Sequence, residues 1–316
     1  MGEVYQIVGG SETPAHRGRS HRRRTMATRL DQIDNLLEAR DAEPELAFMA
    51  RLLSLCSLPR TDPGARTYYK RVNGPYRLFM NAGTDNKLPY GSIPRLLLAW
   101  VATEAVRTGK RELVLGRSLS KFMRELGVHN DSGGPRGELT RFRKQMIRLF
   151  GCTVSLVYDG KNGYSRVSSL VADRHEFWWD PKQPAQSSLW ESRIELGEKF
   201  FHEIVSNPVP INMNVLKALK RSPLGLDLYL WLNYRTFSLD QPIRLSWKRL
   251  YRQLGGDLDK ATDKLVVNDF RKKCLRELKK IKTAWPNLNC STARGLLIVT
   301  PAKPAIGQGG ENEDAL

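Results

Sequence analysis

The chain has 316 residues, enough for about two domains of ~150 residues each, and 41% of them are hydrophobic, which allows a substantial core. It carries 51 Lys and Arg against 33 Asp and Glu, a net charge of +18 that suits a phosphate-rich partner. The longest strongly apolar run, Leu96–Ala102, is far shorter than the roughly 20 residues of a membrane span, and no signal peptide is visible. We therefore expect a cytoplasmic protein without a membrane partner.

The amino-terminal part is predicted in three pieces. Residues 1–25 form a basic tail, predicted to be disordered, that either grips nucleic-acid backbone or is merely solvated. A helical leader follows over 26–58, broken at Glu43–Glu45, and we expect it to dock on the first domain rather than on another protein. β-rich flanks around Asn73-Gly74 then predict a hairpin over Thr67–Met80.

The first domain, residues 26–175, is predicted to be a winged helix. Its elements after the hairpin are an apolar helix, a strand, a helix–turn–helix and a second hairpin that forms the wing. They span Ser92–Arg107, Glu112–Leu115, Ser118–Gly127, Arg136–Phe150, Thr153–Tyr158 and Tyr164–Val171. Residues 176–191, rich in Trp, Pro and Ser, are interpreted as a connector between domains.

The second domain, residues 192–301, is predicted to repeat this order. An apolar helix begins at Ser222-Pro223, and a strand, a helix–turn–helix and a hairpin follow it. These later elements span Ile243–Leu245, Ser246–Gly255, Lys264–Lys282, Leu288–Ser291 and Leu296–Thr300. Residues 302–316 are predicted to be disordered. The fold class is α+β, with two tandem winged-helix domains related by an internal repeat.

The repeat is visible directly in the sequence. A shift of 128 residues carries Phe142–Arg148 (FRKQMIR) onto Phe270–Arg276 (FRKKCLR), and Ser118–Gly127 (SLSKFMRELG) onto Ser246–Gly255 (SWKRLYRQLG). Arg107-Thr108 falls on Arg235-Thr236 at the same shift. Three segments that agree on one offset indicate two copies of one module.

Both copies of the last helix are amphipathic and basic outside, which favours DNA binding over a merely solvated face. A helix–turn–helix inserts its second helix into the major groove, where Lys and Arg suit guanine and Asn suits adenine. The local net charge is +5 over 117–148 and +8 over 244–282, so the second module should grip DNA more strongly. The candidate DNA-binding residues are Ser118, Lys121, Arg136, Thr140, Arg141, Lys144, Gln145, Arg148, Lys161, Ser246, Lys248, Arg249, Lys264, Asn268, Lys272, Lys273, Arg276 and Arg294.

Patterns for catalysis and cofactors are missing from the sequence. It contains no GxxxxGK[ST], no HExxH and no CxxC, and its four cysteines are scattered. We therefore expect no catalytic residues, metal or cofactor. The adjacent tyrosines Tyr68 and Tyr69 leave one alternative, a DNA-nicking enzyme, although such residues in a strand are more often half-buried sheet residues.

Several runs resemble the plasmid-encoded RepA replication initiators of bacteria. These are Tyr76-Arg-Leu, Leu88–Trp100 (LPYGSIPRLLLAW), Leu119–Met123 (LSKFM) and Gly133–Phe150, and the resemblance extends from about Leu52 to Pro301. It implies a non-enzymatic protein that binds direct repeats (iterons) of double-stranded DNA at a plasmid origin and helps to open an A·T-rich segment. The implied partners are host DnaA, the replicative helicase and, in a homodimer, a second copy. A winged-helix transcriptional repressor and a nicking or priming enzyme are the alternatives.

Overall fold

The structure is a computed structural model that describes residues 30–83, 85–128, 137–161, 163–180, 183, 185–256 and 258–302. The predicted disorder of residues 1–25 and 303–316, and the candidate Arg136, lie outside these residues. Among the described residues the helices are α1 (30–41), α2 (Arg51–Leu55), α3 (Ser92–Thr108), α4 (Leu119–Glu125), α5 (Glu138–Phe150), α6 (Glu198–Ser206), α7 (Met213–Ala218), α8 (Pro223–Phe237), α9 (Trp247–Leu254) and α10 (Lys264–Ala284), with a 3₁₀ turn at Leu258–Thr262. The strands are β1 (Leu46–Ala50), β2 (Tyr68–Asn73), β3 (Tyr76–Asn81), β4 (Glu112–Gly116), β5 (Thr153–Gly160), β6 (Gly163–Leu170), β7 (Ala172–Glu176), β8 (Ser192–Leu196), β9 (Pro208–Asn212), β10 (Ile243–Ser246), β11 (Cys290–Ala293) and β12 (Leu296–Val299).

The second half has the element order and the sheet order of a winged helix. Its elements follow one another as α8, β10, α9, α10, β11 and β12. Its three-stranded antiparallel sheet has the order β10–β12–β11, so the hairpin of β11 and β12 packs beside the strand that precedes the helix–turn–helix. The predicted α+β class and the predicted element order of this half are confirmed.

The first half contains the same unit with a different hairpin. Strand β4 pairs with β8, and β8 pairs with β7, which gives the order β4–β8–β7. The predicted wing, β5 and β6, belongs to another sheet of order β2–β3–β5–β6. The assignment of that hairpin to the wing is therefore wrong. The cause is the long-range pairing of β3 with β5, which places β5 and β6 in the other sheet.

Residues 177–191 connect two paired strands of one sheet. This segment lies between β7 and β8, and Trp178 N–H donates to Ser192 Oγ at 3.0 Å across its base. Trp179 is buried and stacks on Phe122, with ring centroids 5.7 Å apart. Its Pro and Ser content is typical of a linker, whereas the Trp179 ring packs on α4 of the helix–turn–helix. The domain boundaries themselves stay a prediction.

The leader is partly a strand. Residues 30–41 are helical as predicted, but β1 occupies 46–50, where apolar residues at helical spacing predicted a second helix. Strand β1 pairs antiparallel with β9 of the second half, from Leu46 opposite Asn212 to Ala50 opposite Pro208. This distant partner supplies the backbone hydrogen bonds that a helix would otherwise make locally.

Polar contacts also join the two halves. Arg95 on α3 and Asp227 on α8 form a buried ion pair with N–O distances of 2.6 and 2.8 Å, and both side chains are at most 3% exposed. Arg95 also donates to Leu58 O at 2.8 Å. Arg71 on β2 donates to the carbonyls of Gly255 and Gly256 at the end of α9, at 2.9 and 3.0 Å. The equivalent helices α3 and α8 are therefore locked together.

The four cysteines are free and buried. Burial raises the pKa of Cys56, Cys152 and Cys274 to about 12, so these thiols stay protonated near neutral pH. None of the helices in the described part of the chain is long and apolar enough to cross a membrane. The same residues contain no group of three His, Cys, Asp or Glu side chains placed to hold a metal ion.

Candidate nucleic-acid interface

Helix α10 presents a basic face to solvent. Asp263 caps its first turn by accepting from the N–H groups of Leu265 and Val266. One side of the helix buries Phe270 and Cys274 in the core, and the Phe270 ring meets Tyr251 of α9 edge-on at 5.2 Å. The five candidate DNA-binding residues of this helix are all exposed, as expected: Lys264, Asn268, Lys272, Lys273 and Arg276.

One lysine of this face already has an acidic partner. Lys273 Nζ lies 2.6 Å from Asp269 Oδ2, one turn earlier on the exposed side. The hydrogen bond from Lys273 holds the pKa of Asp269 below its usual value, and the charges of Lys273, Lys272 and Arg276 act in the same direction. Exposed pairs of this kind are weak, so a phosphate can displace the carboxylate.

Helix α5 does not present the same face. Its predicted outward residues include Gln145 and Arg148, and that part of the prediction is wrong because both are buried. Gln145 Oε1 accepts from the backbone N–H of Tyr90 at 2.8 Å. Arg148 Nε lies 3.0 Å from Asp85 Oδ2, and its guanidinium stands over the Tyr90 ring.

Both sets of contacts come from one segment. Residues 85–90 lie against the carboxyl-terminal part of α5, where Tyr90 contacts Gln145 and Arg148 and Asp85 pairs with Arg148. Arg141 and Lys144 remain exposed, Thr140 is half-buried, and Arg141 pairs with Glu138 at 3.4 Å. The first helix therefore offers a smaller basic surface than α10.

The remaining candidates divide between capping and exposed positions. Ser118 and Ser246 accept from the backbone N–H groups of Lys121 and Arg249, both at 3.3 Å, so each serine caps the helix it precedes. The other candidates in the described part of the chain are exposed: Lys121, Lys161, Lys248, Arg249 and Arg294. Arg294 lies at the tip of the β11–β12 hairpin, whereas Lys161 lies on the hairpin that is not the wing.

Two large clefts run beside these helices. The α10 cleft, about 1210 Å³, separates α10 from β2, and Lys273 and Arg276 line it. The α5 cleft, about 1360 Å³, is lined by Arg141 and Lys144 of α5. The two clefts share a junction that consists of Arg60, Thr61, Asp62, Arg221 and Pro223.

Residues 88–248 match the family described as "Plasmid encoded RepA protein". The chain belongs to this family. The RepA family is one of replication initiators, so the resemblance found in the sequence is confirmed. The search of the curated proteins found no match.

Two solved structures resemble this RepA-family chain in fold. Both contain domains 2 and 3 of RctB. The selenomethionine form has a TM-score of 0.51 at 14% identity, and the similarity covers 80% of this chain and 96% of that one. The other has a TM-score of 0.47 at 14% identity and covers 78% and 95%. The first similarity shows that the mixed helix-and-sheet fold of this RepA-family chain exists in a solved structure.

Sequence reasoning did not find the residues that join the two clefts. Arg60 and Arg221 are 161 positions apart and belong to neither basic helix. Arg60 follows α2 in a short polar stretch, and Arg221 precedes the cap of α8. No periodicity or motif marks either of them, because only the docking of the two halves brings them together.

Proposed function

We propose that this chain is a sequence-specific, double-stranded-DNA-binding initiator that binds direct repeats at a plasmid origin. The observation that carries the proposal is the exposed basic face of α10, the second helix of a helix–turn–helix, in a chain of the RepA family. In this proposal α10 enters the major groove, where Arg276 can bond guanine and Asn268 can bond adenine. The β11–β12 hairpin then places Arg294 beside the neighbouring phosphates.

The second half provides the stronger grip in this proposal. Lys272 and Arg276 project from α10 into solvent, whereas the repeat equivalent of Arg276 is the buried Arg148. Helix α5 contributes Arg141 and Lys144, which suit backbone contacts more than base contacts. The chain thus holds DNA with one reading helix and one supporting helix.

Binding of the protein to the direct repeats is the first step of initiation in this proposal. The initiator then promotes opening of an adjacent A·T-rich segment and brings in the host DnaA and the replicative helicase. A homodimer is proposed to limit copy number by repression or by pairing of origins. These later steps are supported by membership of the RepA family and by the resemblance of the sequence to bacterial initiators.

DNase footprinting on the DNA that flanks the gene tests the proposal at two salt concentrations. Regularly spaced protection over direct repeats that persists at the higher salt is the expected result. A single protected palindrome over a promoter would instead identify a transcriptional repressor. Diffuse protection that vanishes with salt would mean that the basic helices hold only backbone.

We also propose that the chain has no nicking activity of its own. The Tyr69 hydroxyl donates to Ser57 O at 3.0 Å and accepts from Arg71 Nε at 2.9 Å, so it is held in a structural network. Tyr68 is 48% exposed and has the freer side chain. Phenylalanine at position 68 should therefore leave origin firing in cells and repeat binding unchanged. Loss of firing with intact binding would reveal a nucleophilic tyrosine.

A further inference from the structure

Three guanidinium groups lie where the two halves join. The nearby carboxylate of Asp227 forms an ion pair with only one of them. Arg95 takes both oxygens of Asp227. Arg71, which is 2% exposed, bonds to the carbonyls of Gly255 and Gly256 and to the Tyr69 hydroxyl. Neutral oxygens satisfy hydrogen bonds but do not cancel charge, so this region keeps an excess of positive charge.

Arg60 is the third group, and no carboxylate of the described residues forms an ion pair with it. Across the described residues, its guanidinium makes neither a hydrogen bond nor an ion pair, and it stands 5.7 Å from the centre of the Phe270 ring. Burial lowers the pKa of Arg60, Asp227 raises it, and Arg71 and Arg95 lower it further. A half-buried arginine close to other arginines destabilises the folded state unless an anion binds to it and neutralises its charge.

Arg60 also lies at the junction of the α5 and α10 clefts. Twelve Lys and Arg side chains line the two clefts together, against six Asp and Glu. Two of the acids already have cationic partners: Asp269 pairs with Lys273, and Glu277 pairs with Lys280. The field at the junction therefore attracts anions.

We infer that the cleft junction is a phosphate-binding site, with Arg60 as its central group and Arg221 beside it. Arginine suits this ligand because its planar fork can bond two phosphate oxygens at once. The phosphate can belong to the DNA backbone as it passes from one basic helix to the other, or to a free phosphate-bearing molecule. Only the DNA source rests on the proposed function.

Two measurements on the full chain test the site, with Arg60→Gln as the variant and Arg107→Gln as its matched control. Arg107 also carries one charge, but it is exposed on α3, 2.6 Å from Glu104. The first measurement compares melting temperatures in sodium pyrophosphate and in sodium chloride of equal ionic strength. The second is the salt dependence of binding to a 30-base-pair duplex of arbitrary sequence.

For a DNA-backbone site, Arg60→Gln should lower the slope of log K against log salt by about 1 relative to Arg107→Gln. For a free phosphate ligand, pyrophosphate should raise the melting temperature of the unmodified chain and of Arg107→Gln but not of Arg60→Gln, with the slope unchanged. If neither the salt slope nor the pyrophosphate effect on the melting temperature differs between the two variants, there is no phosphate site.

Arg60→Lys replaces Arg60→Gln in both measurements if Arg60→Gln does not fold. It keeps the charge but lacks the planar guanidinium, so its values should lie between those of the unmodified chain and those expected for Arg60→Gln. A footprint without protected repeats would refute iteron binding but would leave both measurements valid.

Discussion

Replacing Asp227 with asparagine is expected to lower the free energy of unfolding by about 3–5 kcal/mol, the usual cost of breaking one side of a buried ion pair. The substitution leaves Arg95 charged, at most 3% exposed, and without the carboxylate that neutralises it. It acts where α3 and α8 lock the two halves, so the whole chain should lose stability. Urea unfolding followed by circular dichroism measures the change.

A double variant and a surface control separate charge from packing. Arg95→Met combined with Asp227→Leu removes both charges, and it should recover part of the loss because replacement of a whole buried pair by apolar residues is often tolerated. Glu104→Gln breaks the exposed pair with Arg107 and should leave the urea midpoint almost unchanged. Equal midpoints for Asp227→Asn and Glu104→Gln would show that the buried pair contributes nothing.

Replacing Lys272 and Arg276 with alanine should weaken DNA binding and reduce the salt slope by up to about two. Both side chains are exposed on α10, one turn apart, and each is proposed to contact phosphate or a base edge. Fluorescence anisotropy with a labelled duplex at several salt concentrations gives the slope. An unchanged slope would remove α10 from the proposed interface.

The internal repeat supplies a matched control for this experiment. Arg148 on α5 is the repeat equivalent of Arg276, but it is buried against Asp85 and Tyr90. Arg148→Ala should therefore leave the salt slope unchanged and instead lower the free energy of unfolding by about 1–3 kcal/mol, the cost of losing a hydrogen bond to a charged group. A slope change equal to that of Arg276→Ala would mean that α5 rearranges to expose this residue.

Local signals predicted the helices well. Ser118, Ser246 and Ser222 each cap the helix that the sequence assigned to them. The apolar residues of α10 repeat at steps of three and four, and they predicted its buried side correctly. Such features depend on neighbours within one or two turns, so the sequence contains nearly all the information that determines them.

The errors come from contacts between distant parts of the chain. Arg148 has a sequence environment similar to that of Arg276, yet Asp85 and Tyr90 cover Arg148, whereas Arg276 is exposed. The wing was misassigned because β5 pairs with β3 rather than with β4. Arg60 carries no signal of its own, since its surroundings come from both halves. The partners of Arg148 and of β5 lie more than 50 positions away, and the Phe270 ring beside Arg60 is 210 positions away.

The pairing of β1 with β9 affects how the chain folds while the ribosome synthesises it. Strand β1 ends at Ala50, and its partner is complete only at Asn212, roughly 160 residues later. At roughly 5–20 residues per second, synthesis leaves β1 without its partner for on the order of 10–30 s. During that interval its apolar residues and open backbone groups are available to other chains. Strand β1 thus reaches its paired state late although it is synthesised well before β9, and a chain that stops before residue 208 lacks the partner of β1.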